Sequence, residues 1–366
     1  MMIKKRLSKL RALMARQGLD AMLITLPANR RYLSGFSPDD TQLGESSGAL
    51  LIAPAAAVLL TDFRYRLTAQ AQAPCFEVVV YSRGLAHSLG VLLNELRVKR
   101  LGFEAEALLF GQHQRLSEAL PGVSWQPTLG FVSELRKFKD ASEIKATEAS
   151  LALMEAVLAQ VMAGPLVGRS EREVALEIVR RIEDAGGEGP AFPPIVASGP
   201  NAAEPHAEPG PRVIAHGETV LFDVGAKVDG YCSDISRTIV AGGRAADDEQ
   251  FRRVYATVRQ AQLEALDGIL PGMLGHEADA IARRIIDRAG FKGKFGHSLG
   301  HGVGLATHEA PSLGPNSDDM LEEGMVFTIE PGIYLSGWGG VRLEVMAVME
   351  ATGCRLLGAS EGFLQP

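Results

Sequence analysis

The stretch LFDVGAKVDGYCSDISRT, residues 221–238, constrains the chain most, because it sets two aspartates, Asp223 and Asp234, on the strands of what reads as one hairpin. Val220, Leu221, Phe222 and Val224 favour a strand, Asp229-Gly230 is a two-residue hairpin turn signal, and a second strand follows through Tyr231 to Val240. With Asp229 and Gly230 as the loop pair, Asp223 stands opposite Ser236, and Asp234 lies on the same face. Two carboxylates then project as diagonal neighbours. They are tolerable if solvated, if one holds a proton, or if a cation sits between them.

A second pair, Glu330 and Glu344, occurs in TIEPGIYLSGWGGVRLEV, where Gly337 to Gly340 supply the turn and Glu330 falls roughly across from Glu344. Acids on a wet sheet face are the bland explanation. Yet LFDVG and VFTIEPGIY read as core strands, where a carboxylate needs a partner or a raised pKa. Nitrogen donors come from FGHSLGHGVGLATHEAP, residues 295–311. His297 and His301 are four apart, but Gly300, Gly302 and Gly304 argue against a helix and for close backbone approach or the start of a strand. His308-Glu309 does not continue into HExxH, which excludes a zincin, and GHGVG lacks the strand–loop–helix context of a phosphate loop.

With 366 residues the chain has room for two domains. A net charge of −7 and the lack of a basic stripe with interleaved aromatics offer nucleic acid no footprint. Cys75, Cys232 and Cys354 are dispersed and odd in number, as in free thiols of a reducing compartment. The basic residues Arg6, Lys9, Arg11 and Arg16 rule out a signal-peptide core, leaving a surface helix ended by Gly18. No run approaches the length of a membrane span. A cytoplasmic protein is expected.

Residues 1–132 alternate helix and strand, with strands at 21–26, 48–54, 56–62, 76–82 and 101–104 and helices near 85–97 and 107–120, predicting an α/β domain with a mixed sheet. Residues 133–366 predict an α+β domain. Asp140 with Glu143, and Ser170 with Glu173, are capping boxes opening helices to Met162 and about Ala185. Helices near 247–267 and 275–289 follow, and strands are expected at 193–197, 219–240, 303–308, 324–335 and 340–349. Each half of this domain supplies two helices and then a hairpin carrying two acids.

The set FDVGAKVDGYCSDISRT, HSLGHGVGLATHEAP, TIEPGIY and GGVRLE closely resembles the pita-bread metallopeptidases: aminopeptidase P, prolidase and methionine aminopeptidase. NRRYLSGF and TDFRY resemble the creatinase/prolidase N-terminal domain, and VASGPNAAEPH the family's substrate-side histidine segment. The resemblance implies that Asp223, Asp234, His301, Glu330 and Glu344 ligate two divalent metals, with Asp234 and Glu344 bridging. It implies attack by a metal-bridging hydroxide, a proton-carrying role for Glu330, substrate contacts from His206 and His308, and supporting roles for His297 and Arg342. Four carboxylates and one imidazole suit Mn²⁺, with Co²⁺, Zn²⁺ or Fe²⁺ as alternatives. The activity implied is hydrolysis of the N-terminal Xaa-Pro bond of peptides with proline second, by a homodimer without nucleic-acid or membrane partners. The alternatives are a prolidase restricted to Xaa-Pro dipeptides, a non-peptidase of the same fold such as an amidinohydrolase, and a binding module; the last two typically lack the full ligand set. Val345 follows Glu344 where the family commonly has Asp, Ala207 follows His206 where Gly is common, and Ala306 replaces an acidic or bulkier residue.

Overall fold

The computed structural model describes residues 2–40, 42, 44–242 and 248–358. The chain divides into two compact units, Met1–Arg136 and Lys137–Pro366. In the first, the elements are α1 (Met2–Arg16), β1 (Ala21–Ile24), α2 (Pro27–Ser34), β2 (Ala49–Ile52), β3 (Ala57–Thr61), α3 (Arg66–Gln72), β4 (Glu77–Val80), α4 (Leu85–Glu95), β5 (Arg100–Glu104), α5 (Phe110–Ala119), β6 (Ser124–Thr128) and α6 (Phe131–Arg136). They build a six-stranded sheet in the order β4-β3-β2-β1-β5-β6, antiparallel only where β2 meets β1 and β3. Its inner strands β1 and β2 are buried on both faces, which is why they read as continuous apolar runs, while the edge strands β4 and β6 are partly exposed. Helices α2, α3 and α6 and strand β6 were not expected. PANRRYLS hides its helix because it buries Asn29, Arg30 and Ser34, so its pattern of burial is not a pattern of hydrophobicity.

The second unit runs α7 (Ala141–Ala163), α8 (Glu171–Asp184), β7 (Gly189–Pro190), β8 (Ile195–Ser198), β9 (Thr219–Val224), β10 (Ala226–Val228), β11 (Tyr231–Cys232), β12 (Ile235–Val240), α9 (Glu249–Gly268), α10 (Gly275–Ile286), β13 (Gly300–Gly302), β14 (Glu309–Leu313), β15 (Val326–Ile329), β16 (Gly332–Leu335), β17 (Gly339–Arg342), β18 (Val345–Glu350) and β19 (Gly353–Leu356). Both capping boxes form, at Asp140/Glu143 and Ser170/Glu173. The expected helix start at 247 and the chain end at 359–366 lie outside the described residues.

Two expectations need correction. Residues 303–308 form no strand; they are the turn between β13 and β14, which pair with each other. And α7 is long and apolar enough to cross a membrane, contrary to the expectation. Its alanines raise the mean hydropathy across its scattered glutamates, but Leu151, Met154, Val157, Leu158 and Val161 are committed to a protein core with Val174, Phe222 and Val348.

The first hairpin keeps its predicted register: Asp223 pairs with Ser236 and Lys227 with Cys232. It is not one flat ribbon, however. Its base, β9–β12, joins β8, while its tip, β10–β11, joins β7 in another sheet. The second hairpin divides likewise: β15–β18 belong to a five-stranded sheet and β16–β17 form a separate pair. Acids occupy the breaks. Asp234 separates β11 from β12, Glu330 separates β15 from β16, and Glu344 separates β17 from β18.

Candidate metal centre

The breaks have local causes. A Cβ on Gly225 would lie 2.0 Å from the Ser233 carbonyl oxygen, so only glycine lets β9 turn into β10 there. Pro331, with no N–H, stops the ladder after Glu330. Where the ladders lapse, the hairpins bond to each other: the Glu344 N–H donates to the Ser236 carbonyl at 3.1 Å, and the Arg342 N–H to Thr238 Oγ1 at 3.1 Å. Main-chain bonds that a continuous strand would spend on its neighbour thus fasten one acid pair against the other.

Oxygens of Asp234 and Glu344 and a nitrogen of His301 lie within 4.8 Å of one another. Asp234 and Glu344 are 4% and 1% exposed. Burial raises both carboxyls well above the usual range; Glu344 repels Asp234 next most strongly, and Glu330 repels Glu344. Burial likewise lifts Glu330 to about 8, against the pull of Arg342. Asp223 Oδ2 accepts Arg342 Nη2 at 2.5 Å, while Oδ1 is buried without a hydrogen-bond partner. Four carboxylates crowd together, with an orphaned acceptor among them.

His301 completes the donor set. Its Nδ1 approaches the Gly302 carbonyl at 3.1 Å, which assigns the proton to Nδ1 and leaves the Nε2 lone pair facing Glu330 at 3.4 Å and Asp234 at 3.6 Å. Burial depresses its pKa to about 4, so the ring is neutral near neutral pH. The glycines beside it answer the question the sequence raised. A Cβ on Gly300 or Gly302 would lie 2.0 Å from the Thr328 carbonyl oxygen or 2.2 Å from that of Ala310, so β13 fits only without side chains at those positions.

Asp223, Asp234, His206, His297, His301, His308, Glu330, Arg342 and Glu344 all line one cleft of about 520 Å³. His308 packs its ring on His301, with centroids 4.2 Å apart. His297 Nε2 meets the Tyr334 hydroxyl at 2.8 Å, and that hydroxyl accepts Arg342 Nη1 at 2.8 Å. Arg342 also donates to Ser236 Oγ and the Pro205 carbonyl, next to His206. Ser236 Oγ in turn donates to Glu344 Oε2 at 2.8 Å.

Sequence reasoning assigned no part to Tyr334, Ser236, Thr328 or Glu171. Thr328 Oγ1 donates to Glu330 Oε1 and accepts the His301 N–H. Glu171, fully buried, accepts from Ser198, Asn201 and Gly210, closing the segment that carries His206. Tyr334 and Ser236 sit inside the quoted motifs and could have been found there; Glu171 had no signal beyond its place in a helix's first turn. Of the three departures, Val345 has a clear structural setting. It is buried, pairs with Ile329 and packs with Phe327, Val341 and Leu343, so position 345 contributes no carboxylate beside Glu344; Arg237 Nη1 holds the Glu344 carbonyl at 2.6 Å.

The profile of metallopeptidase family M24 matches residues 144–351, which contain all five candidate ligands. The chain belongs to metallopeptidase family M24. The creatinase/prolidase N-terminal domain matches residues 6–138. Similar solved structures include an Xaa-Pro dipeptidase from Bacillus anthracis, 36% identical over 97% of both chains with a TM-score of 0.91. An X-Pro aminopeptidase from Thermotoga maritima is 32% identical, covering 94% of this chain and 96% of its own, with a TM-score of 0.85. An Xaa-Pro dipeptidase of Pyrococcus furiosus is 33% identical over 98% of this chain and 99% of its own. The fold is therefore a creatinase-type α/β domain followed by the M24 pita-bread domain, and the family implies divalent metal ions. The donors fit: hard oxygens, one neutral imidazole and a buried carboxylate oxygen with no hydrogen bond.

Proposed function

We propose that this M24 enzyme is a metallo-exopeptidase that removes the N-terminal residue from peptides with proline second. Asp223, Asp234, His301, Glu330 and Glu344 would hold two divalent ions, Mn²⁺ for preference. The observation that carries this is the convergence of four poorly solvated carboxylates and a neutral imidazole on one cleft. When bound, such ions polarise the scissile carbonyl and acidify a water so that it attacks near neutral pH.

The chain's own groups do the rest. Glu330 takes the water's proton on Oε2, its Oε1 being engaged by Thr328, and delivers it to the departing prolyl nitrogen. That delivery is needed because the Xaa-Pro amide has no N–H and its nitrogen leaves as an amine. His206 and His308 supply donors to the carbonyl oxygen as charge gathers there. His297, Tyr334 and Arg342 orient Asp223 and, through Ser236, Glu344.

Peptides longer than two residues are favoured because an Xaa-Pro dipeptide offers a C-terminal carboxylate, and the cleft has little to clamp it. Arg342 is the one Arg or Lys among its described lining residues, already engaged by Asp223. The names of the Bacillus anthracis and Pyrococcus furiosus relatives favour the second reading, a dipeptidase. A homodimer in the cytoplasm completes the proposal; Cys75, Cys232 and Cys354, none of them in a disulfide, suit a reducing compartment, and light scattering reads the mass. The test is hydrolysis of an Xaa-Pro dipeptide and an Xaa-Pro-Xaa tripeptide by stripped protein given Mn²⁺. Tripeptide cleavage, lost in Asp234→Ala, supports the aminopeptidase. Cleavage of the dipeptide alone establishes the second reading, and cleavage of neither with two ions bound refutes both.

A further inference from the structure

Lys139 falls between the two family matches, which end at 138 and resume at 144. It immediately precedes Asp140, the N-cap of α7. Its ammonium is nevertheless deep in the second unit, where Nζ meets Glu309 Oε1 at 2.7 Å, the two side chains being 1% and 8% exposed. The lysine backbone is fastened too. Its N–H donates to the Gly324 carbonyl at 2.8 Å, and Phe138 bridges to Met325 at the foot of β15.

Glu309 follows His308 and opens β14, opposite Gly302 at a register shift. Its carboxylate folds back beneath the turn 303–308: Oε2 lies 3.4 Å from the Ala306 nitrogen, and a Cβ on Gly304 would fall 2.5 Å from Oε1. The turn is thus wrapped around a buried carboxylate, with glycine making the room. On its other side Thr307 Oγ1 donates to the Ala191 carbonyl at 3.2 Å. His308 emerges from this turn onto the His301 ring.

We propose that the Lys139–Glu309 ion pair is a positioning device that sets where His308 stands over the cleft. A buried ion pair is a poor means of stabilising a fold, because apolar side chains of like volume do as well or better. It does fix a direction. The Lys139 backbone is fastened to Gly324 and, through Phe138, to Met325 of the second unit, and Glu309 is covalently next to His308, so the pair transmits the position of that anchored backbone to the imidazole. The proposal rests on the reading of His308 as a substrate contact.

The test is a cycle measured on an Xaa-Pro-Xaa tripeptide with the Mn²⁺-loaded full chain. Lys139→Met/Glu309→Gln removes both charges together and is expected to lower kcat roughly 10- to 100-fold, the scale of an ångström-sized misplacement. Bound Mn²⁺ per chain should not change, and Lys139→Arg should retain most activity. In a His308→Ala background the double replacement should cost nothing further. Gly304→Ala, whose new methyl must displace the Glu309 carboxylate, should reproduce the defect only when His308 is present, and serves if the double variant does not fold. Equal losses with and without His308 would overturn the positioning role and leave the peptidase reading standing. A His308→Ala variant as active as the parent would overturn the positioning role and the assignment of His308 together.

Discussion

Glu104 in the first unit and Glu344 in the second are buried almost alike, at 7% and 1% exposed, and burial raises the pKa of both. Their neighbours differ in sign. Glu104 accepts the Thr25 and Leu26 N–H groups at 2.6 and 2.8 Å and Asn29 Nδ2 at 2.6 Å, each of which opposes the rise. Glu344 has Ser236 Oγ, and after burial its largest influences are the repelling carboxylates of Glu330 and Asp223. A buried acid surrounded by donors is finished within the protein; one surrounded by other acids needs a cation from outside.

The comparison can be broken most sharply at Asp234. Asp234→Ala should weaken metal binding by more than about 100-fold, beyond the range for an outer partner of a ligand, and abolish peptide hydrolysis. Calorimetric titration with Mn²⁺ reads it. Unchanged binding would mean that the crowded acids do not depend on a metal, and the contrast with Glu104 would fall. Arg342→Met, which touches Asp223 directly and Glu344 through Ser236, should cost about 10- to 100-fold in metal affinity, read by the same titration.

Metal removal sharpens the contrast. At a free Mn²⁺ concentration of 100 times Kd, each bound ion should add about 2.7 kcal/mol to the second unit's stability. Without metal, pH has a definite sign. The folded pKa of Glu330 rises from its ordinary 4.5 to about 8, so the folded state holds the proton more tightly than the unfolded chain. That stability is fully present below about 4.5 and is lost as pH rises through about 8. Added Mn²⁺, which competes with protons for the same oxygens, should flatten or reverse this trend. Thermal melts from pH 5 to 8, with and without Mn²⁺, test it; a pH-independent melt of the stripped protein would count against crowded carboxyls.

Glu104→Leu has the smallest expected effect on chemistry. Stranding the amide donors it satisfies should lower stability by about 1–3 kcal/mol, while Mn²⁺ stoichiometry stays as in the parent. Denaturant unfolding and a metal count check the two halves of that statement.

Much of this contrast was legible beforehand. The hairpin register around Asp223 followed from Asp229-Gly230, the two acid pairs from their place in apolar strands, and both capping boxes from side chains three residues apart. Glu104 was read as the end of a strand and nothing more, although it is as deeply buried as the metal-site acids. Its donors come from residues 25–29, some 75 positions away, and no local pattern announces them.

The sequence by itself determined the elements built on short-range physics: strand alternation, turn chemistry, caps, and the motifs that carry a family's donors. Only the tertiary structure decided where the two hairpins bend, that the Glu344 amide bonds to Ser236, that Tyr334 joins His297 to Arg342, and that Lys139 reaches Glu309. The reason is physical. A strand's period and a cap's reach are local, whereas a buried charge is satisfied by whatever the folded chain brings to it, and that depends on the simultaneous packing of segments far apart in the chain.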